Sequence, residues 1–189
     1  VSDEFAADFD RAIKQGTDVS DLIAKAKAMA VRPLSVGELG RVAVWYANRG
    51  VPVFPLRGKI PLTKRGLNDA STDIEVVREW WRSWPMANIG AATGWRFDVI
   101  DVDGPEGCAS LAELGDVPYL ARVATPRYDG YHLYVAPSPG TTNAAGVKPG
   151  IDYRGKGGYV VVPPSIGPNN RRYAWLESPT FLEAKHGEN

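Results

Sequence analysis

The segment Phe97-Asp98-Val99-Ile100-Asp101-Val102-Asp103-Gly104-Pro105 constrains this chain more than any other stretch. Its apolar residues favour a strand. Side chains alternate between the two faces of a strand, so Asp101 and Asp103 point the same way with Cβ atoms roughly 7 Å apart. Brought to about 4 Å, two carboxylates repel by on the order of 4 kcal/mol at an effective dielectric of about 20. A divalent cation between them is the natural remedy, and oxygen ligands suit Mg2+ or Mn2+. The plainer alternative is a strand end entering a polar turn, because Asp-Gly-Pro is good turn chemistry.

The pattern before this segment is mainly helical. Residues Asp3 to Met29 carry apolar positions at helical spacing, broken at Gly16-Thr17-Asp18, and read as a helical appendage over residues 1–33. Ser35 with Glu38 forms a capping-box pattern that opens a helix through Leu39, Val42, Ala43 and Tyr46 and stops near Gly50. Val51 to Leu56 is extended. Thr72-Asp73 starts a further helix from Ile74 to Trp84, ended by Pro85, with Val77, Trp80, Trp81 and Trp84 on its apolar side. Aromatics at this spacing read as core.

After Pro85 short strands alternate with glycine turns: Ile89–Thr93, Asp98–Val102, His132–Ala136 and Tyr159–Val162, with a short helix from Cys108 or Ala109 to Leu114. Helices mixed with strands, some apolar throughout, predict an α/β or α+β fold with a sheet covered on at least one face. Residues 34–176 form the expected domain, and 177–189 a polar tail or linker.

Composition narrows the function. The 189 residues, 44% of them hydrophobic, are enough for a real core. No apolar run approaches the roughly 20 residues that span a bilayer, and Val1-Ser2-Asp3-Glu4 does not open a secretory signal, so a cytoplasmic protein without membrane contact is expected. The start at Val1 reads as an excised piece of a longer protein. Cys108 is the only cysteine, which excludes an intramolecular disulfide and a multi-cysteine zinc site. Lys plus Arg equals Asp plus Glu at 22 each, which argues against coating nucleic acid by bulk charge.

Local charge is less even. Arg57, Lys59, Lys64 and Arg65 form a run without an acid, and Thr141 to Trp175 holds Lys148, Arg154, Lys156, Arg171 and Arg172 against Asp152 alone. Either cluster suits a nucleic-acid backbone or a triphosphate, or is simply solvated loop. His132 stands where the turn Asp129-Gly130 gives way to a strand, a position from which a ring nitrogen can donate to phosphate or settle into a structural hydrogen bond. In Gly150-Ile151-Asp152-Tyr153-Arg154-Gly155-Lys156-Gly157-Gly158 a strand would place Asp152 and Arg154 on one face, a metal-binding acid beside a guanidinium that fits phosphate oxygens. In a surface hairpin they would merely pair.

Taken in order, Tyr46 to Leu56, Asn88-Ile89-Gly90, Asp101-Val102-Asp103-Gly104, Gly130-Tyr131-His132, Gly150 to Gly155 and Pro163-Pro164-Ser165 resemble the bifunctional primase-polymerase domain of the archaeo-eukaryotic primase superfamily, found in phage and plasmid replication proteins. The resemblance covers about Leu34 to Trp175. It implies a catalytic core with an RNA-recognition-like sheet beside a second α/β unit, and DNA primase and polymerase activity by two-metal nucleotidyl transfer. Asp101, Asp103 and Asp152 would hold two Mg2+ or Mn2+ ions. His132 would contact the incoming nucleotide's phosphates, with Arg154 and Lys156 as further nucleotide ligands. Lys59, Lys64, Arg65, Arg171 and Arg172 would meet nucleic acid.

The implied partners are a single-stranded DNA template, a primer, dNTP or NTP substrates, and a helicase domain or protein C-terminal to this piece, in the cytoplasm of a bacterial host. Two departures stand out. The cysteines of the zinc-binding stem found in some relatives are missing, so no zinc is expected, and Gly130 stands where relatives often have Ser. The competing readings are a non-catalytic DNA-binding replication-initiation module and, with less support, a metal-dependent phosphoesterase.

Overall fold

A computed structural model of the chain describes residue 11 and residues 37–127, 129–177 and 179–183. The appendage read over residues 1–33 therefore lies outside the described residues, apart from Arg11. Among the described residues, two antiparallel sheets and three α-helices make up an α+β fold. Every pairing between named strands is antiparallel, which decides between the two fold classes left open by the sequence.

The first layer is helical. Helix α1 (Glu38–Ala47) starts with Gly37 as its N-cap residue, later than the capping-box reading, so Glu38 occupies the first turn and not the third helical position. Ser35 lies outside the described residues. Helix α2 (Ile74–Ser83) begins as expected, because the Asp73 carboxylate accepts hydrogen bonds from the backbone N–H groups of Glu75 and Val76. Trp81 is buried and donates its indole N–H to the Ala87 carbonyl at 3.0 Å, while Trp80 and Trp84 pack against the core from its edge.

These helices cover a four-stranded sheet, ordered β2-β1-β3-β9, from β1 (Val53–Arg57), β2 (Ile60–Pro61), β3 (Asn88–Ala92) and β9 (Tyr159–Val162). Side-chain hydrogen bonds lock its end. Ser165 Oγ accepts from Ile89 N at 2.9 Å, and Asn88 donates to the carbonyls of Gly58 and Ile166 while accepting from Ile166 N. The Asn88 and Pro163-Pro164-Ser165 blocks are thus parts of one structural joint.

The second sheet has six strands in the order β10-β5-β6-β4-β8-β7. They are β4 (Asp98–Asp103), β5 (Ala121–Ala124), β6 (Gly130–Val135), β7 (Ala144–Lys148), β8 (Ile151–Arg154) and β10 (Ala174–Trp175). Its two faces have different partners. Ile100, Val102, Leu133 and Ile151 pack with Cys108 and Leu111 of helix α3 (Gly104–Glu113). Val99, Ala121, Val123 and Tyr134 join the core that includes α1, α2 and the first sheet.

Helix α3 begins at Gly104, earlier than the Cys108 or Ala109 start expected from the sequence. Pro105 explains the difference. Its fixed φ and missing N–H are tolerated in a first helical turn, so Asp-Gly-Pro here opens a helix instead of a free-standing turn.

Packing of α1 on α2 depends on a close approach at Gly40, where an added Cβ would sit 2.9 Å from Trp81 Cβ. That atom cannot move without its backbone. Gly40→Val is therefore expected to destabilise the protein by about 2 kcal/mol through overpacking, read as a lower midpoint in urea unfolding.

Candidate active site

The antiparallel register assembles the site. In β4, Asp101 lies directly opposite His132 of β6 on one side and Asp152 of β8 on the other. Residues directly opposite in neighbouring antiparallel strands share a face, so three residues far apart in sequence form one row. Asp103 follows on the same face opposite Gly130, and Arg154 lies opposite Val99. Asp98 is separated from this row by the alternation. It is buried on the other side, where its carboxylate accepts from Tyr153 Oη at 2.6 Å and Ser138 N at 2.9 Å.

Asp101 and His132, with Arg154, face the first sheet across a cleft also lined by Lys59, Asn143 and Tyr173. His132 Nε2 is 3.5 Å from Asp101 Oδ1, and Arg154 Nη2 is 3.9 Å from Asp101 Oδ2. Arg154 also makes a 2.7 Å ion pair with Asp152, whose other oxygen accepts from Gly146 N at 2.8 Å. Both arrangements read from Asp152 and Arg154 thus coexist: the two share a strand face and they pair. Arg127, a turn residue before β6, binds Asp103 at 2.9 Å.

These neighbours set the protonation states. Burial, then the Asp101 charge, lifts the Asp103 carboxyl above its ordinary range, with Asp152 adding to the rise and Arg127 and Lys59 opposing it. Burial holds the His132 imidazole below its usual value, reinforced by Lys59 and Arg154 and opposed by Asp101. His132 is therefore neutral at neutral pH, and its Nδ1 is buried without a hydrogen-bond partner among the described residues. Tyr173, its ring centroid 5.8 Å from that of His132, is raised by burial and by the charges of Asp101 and Asp103.

The donor chemistry fits a divalent cation. Asp101, Asp103 and Asp152 are oxygen donors on adjoining strand positions; burial first, and then the Asp101 and Asp152 charges, disfavour the charged Asp103, and a cation would relieve both. As they stand, no three metal-ligating side chains converge among the described residues, because Arg154 and Arg127 hold Asp152 and Asp103.

The other expected site residues are distributed differently. Lys59, grouped by sequence with nucleic-acid contacts, stands on the turn between β1 and β2 and lines the Asp101 cleft; Tyr159 Oη anchors this turn by donating to the Lys59 carbonyl at 3.0 Å. Lys156 lines an adjoining groove instead of the cleft. Arg65 forms an exposed ion pair with Asp69, and Lys64 precedes it without lining either cavity. Lys148 pairs with Glu113. Arg171 and Arg172 stay off the cleft wall, to which their neighbour Tyr173 contributes. Tyr173, Asn143 and Arg127 went unread because each reaches the site from a loop or segment end whose place depends on tertiary contacts.

In structural terms, the class is an α+β domain with carboxylates and cationic groups meeting between two sheets. A family model described as bifunctional DNA primase/polymerase, N-terminal, matches residues 43–186, and the chain belongs to that family. A comparison with curated proteins found no match. No helix among the described residues is long and apolar enough to cross a membrane.

The His132 shift fixes a pH effect. A base whose folded pKa is depressed leaves the unfolded state binding more protons, so its contribution is intact above about 6.5 and is lost as pH falls through that value. Urea unfolding at pH 7.5 and 5.5 should show a loss of stability for the natural chain on acidification, and a smaller loss for His132→Gln.

Proposed function

We propose that this domain carries out template-directed nucleotidyl transfer, as a DNA primase and polymerase in phage or plasmid replication. Substrates are nucleoside triphosphates, dNTP or NTP, on a single-stranded DNA template with a primer strand. The observation that carries the reading is the register that puts Asp101 opposite both His132 and Asp152, with Asp103 next on the same face. A helicase domain or protein is its proposed partner.

Asp101, Asp103 and Asp152 are the residues that would hold two Mg2+ or Mn2+ ions. Bound there, the ions would supply activation of the attacking 3′-hydroxyl and neutralisation of the leaving pyrophosphate. The chain's own groups do the rest. Arg154 and Lys59 line the cleft as cations for phosphate oxygens, and Arg154 can exchange Asp152 for phosphate because their pair is partly exposed. His132 presents an imidazole that a triphosphate would draw toward protonation, turning the buried ring into a phosphate donor. Tyr173 packs beside it and limits its rotation.

Nucleotide incorporation should fall on the order of a thousandfold in Asp101→Asn and in Asp103→Asn, in magnesium or manganese. The folds should survive. With chelator present, Asp103→Asn is expected to match or exceed the thermal stability of the natural chain, because the burial cost of the charge and its repulsion from Asp101 and Asp152 are removed while only an exposed ion pair to Arg127 is lost. Folded variants that still extend a primer would overturn the assignment. His132→Ala should raise the dissociation constant for nucleotide measured by calorimetry about tenfold, the loss of one charge-assisted hydrogen bond.

A further inference from the structure

A second groove opens beside the cleft, and the two share Gly157 and Gly158 as a common wall. Trp95 is 67% exposed, far more than any other described tryptophan that packs on the core, and it lines this groove. Its indole makes no hydrogen bond or ring contact with the described residues. Set in the wall of a groove that runs into the cleft, an exposed indole is placed as a stacking surface.

The turn that presents it is firmly held. Gly94 N donates to Phe97 O at 3.0 Å, and the Thr93 hydroxyl donates to Gly155 O at 2.6 Å. Gly94 has φ +86°, and a Cβ there would lie 2.5 Å from the Lys156 Cα. Trp95 and Lys156 are thus carried on two backbone segments in close contact, and both line the groove. The remaining wall offers Asn68, Ser71 and Thr72, with no carboxylate, and Lys156 has no ion pair among the described residues.

We infer that this groove binds the single-stranded DNA template, with Trp95 stacking a base and Lys156 neutralising a phosphate next to it. Stacking platforms combined with cationic grooves are how proteins hold single strands without reading sequence. Continuity across Gly157-Gly158 carries the strand from the groove to the cleft, where its next base meets the incoming nucleotide. This inference rests on the nucleotidyl-transfer reading of the cleft, and it reassigns Lys156 from nucleotide to template.

The test is fluorescence anisotropy of a labelled single-stranded deoxyoligonucleotide over a salt series. Trp95→Ala should weaken binding about 5- to 100-fold, and Trp95→Phe, which keeps an aromatic face, much less. Lys156→Ala should lower the slope of log affinity against log salt by about 0.7. Calorimetry with a deoxynucleoside triphosphate should give the same affinity for Trp95→Ala as for the natural chain. Oligonucleotide affinity unchanged in Trp95→Ala and Lys156→Ala, equal loss in Trp95→Ala and Trp95→Phe, or lost nucleotide affinity in Trp95→Ala would each overturn the inference. Failure of the cleft reading has a different signature, continued synthesis by the Asp101 and Asp103 variants.

Discussion

The hydrogen-bond ladder that places β4 between β6 and β8 is the constraint from which the rest of the structure follows. A strand's side chains repeat with a period of two, so a slip of one residue on either side would turn every partner to the opposite face. Burial prevents such a slip. Ile100 and Val102 are held against α3 while Val99 is held in the core of the first sheet, so both faces of β4 resist displacement. Asp101 and Asp103 are where they are because their apolar neighbours have nowhere else to go.

That scaffold makes the charged row costly in a controlled way. Carboxylates are brought near one another at a partly buried sheet end, which raises the Asp103 pKa. Arg127 and Arg154 offset the repulsion without filling the cleft, since both are bound to carboxylates through exposed or partly exposed pairs. Exposed pairs exchange readily for other charged partners. The fully buried Arg122, paired with Glu177, instead ties β5 to the segment after β10.

Much of the fold was legible in the chain. Tyr159–Val162 is a strand as read, and Asp98–Asp103 and Ile74–Ser83 differ from expectation by a residue at an end, because apolar periodicity and the Asp73 cap are local signals. Strand β5 was missed. It carries a fully buried arginine, Arg122, whose charge breaks the apolar pattern and is paired with Glu177. Strand β7, Ala-Ala-Gly-Val-Lys and mostly exposed, has little intrinsic strand preference and exists by pairing with β8. Of the candidate site, Asp101, Asp103, His132, Asp152 and Arg154 lie together on one sheet, while Lys59 lines the cleft and Lys156 the adjoining groove.

By itself, the sequence determined the acidic pair on one strand face, the helices around Tyr46 and Trp81, the exclusion of an intramolecular disulfide and the family resemblance, because spacing and residue chemistry act over short stretches of chain. Tertiary structure alone decided the antiparallel pairing of the named strands, the opposition of Asp101 to both His132 and Asp152, and the arrival of Lys59, Tyr173 and Trp95 at their walls. Strand order and sheet-to-sheet contact depend on burying both faces of β4 at once, and no local pattern encodes a condition that distant residues must satisfy together.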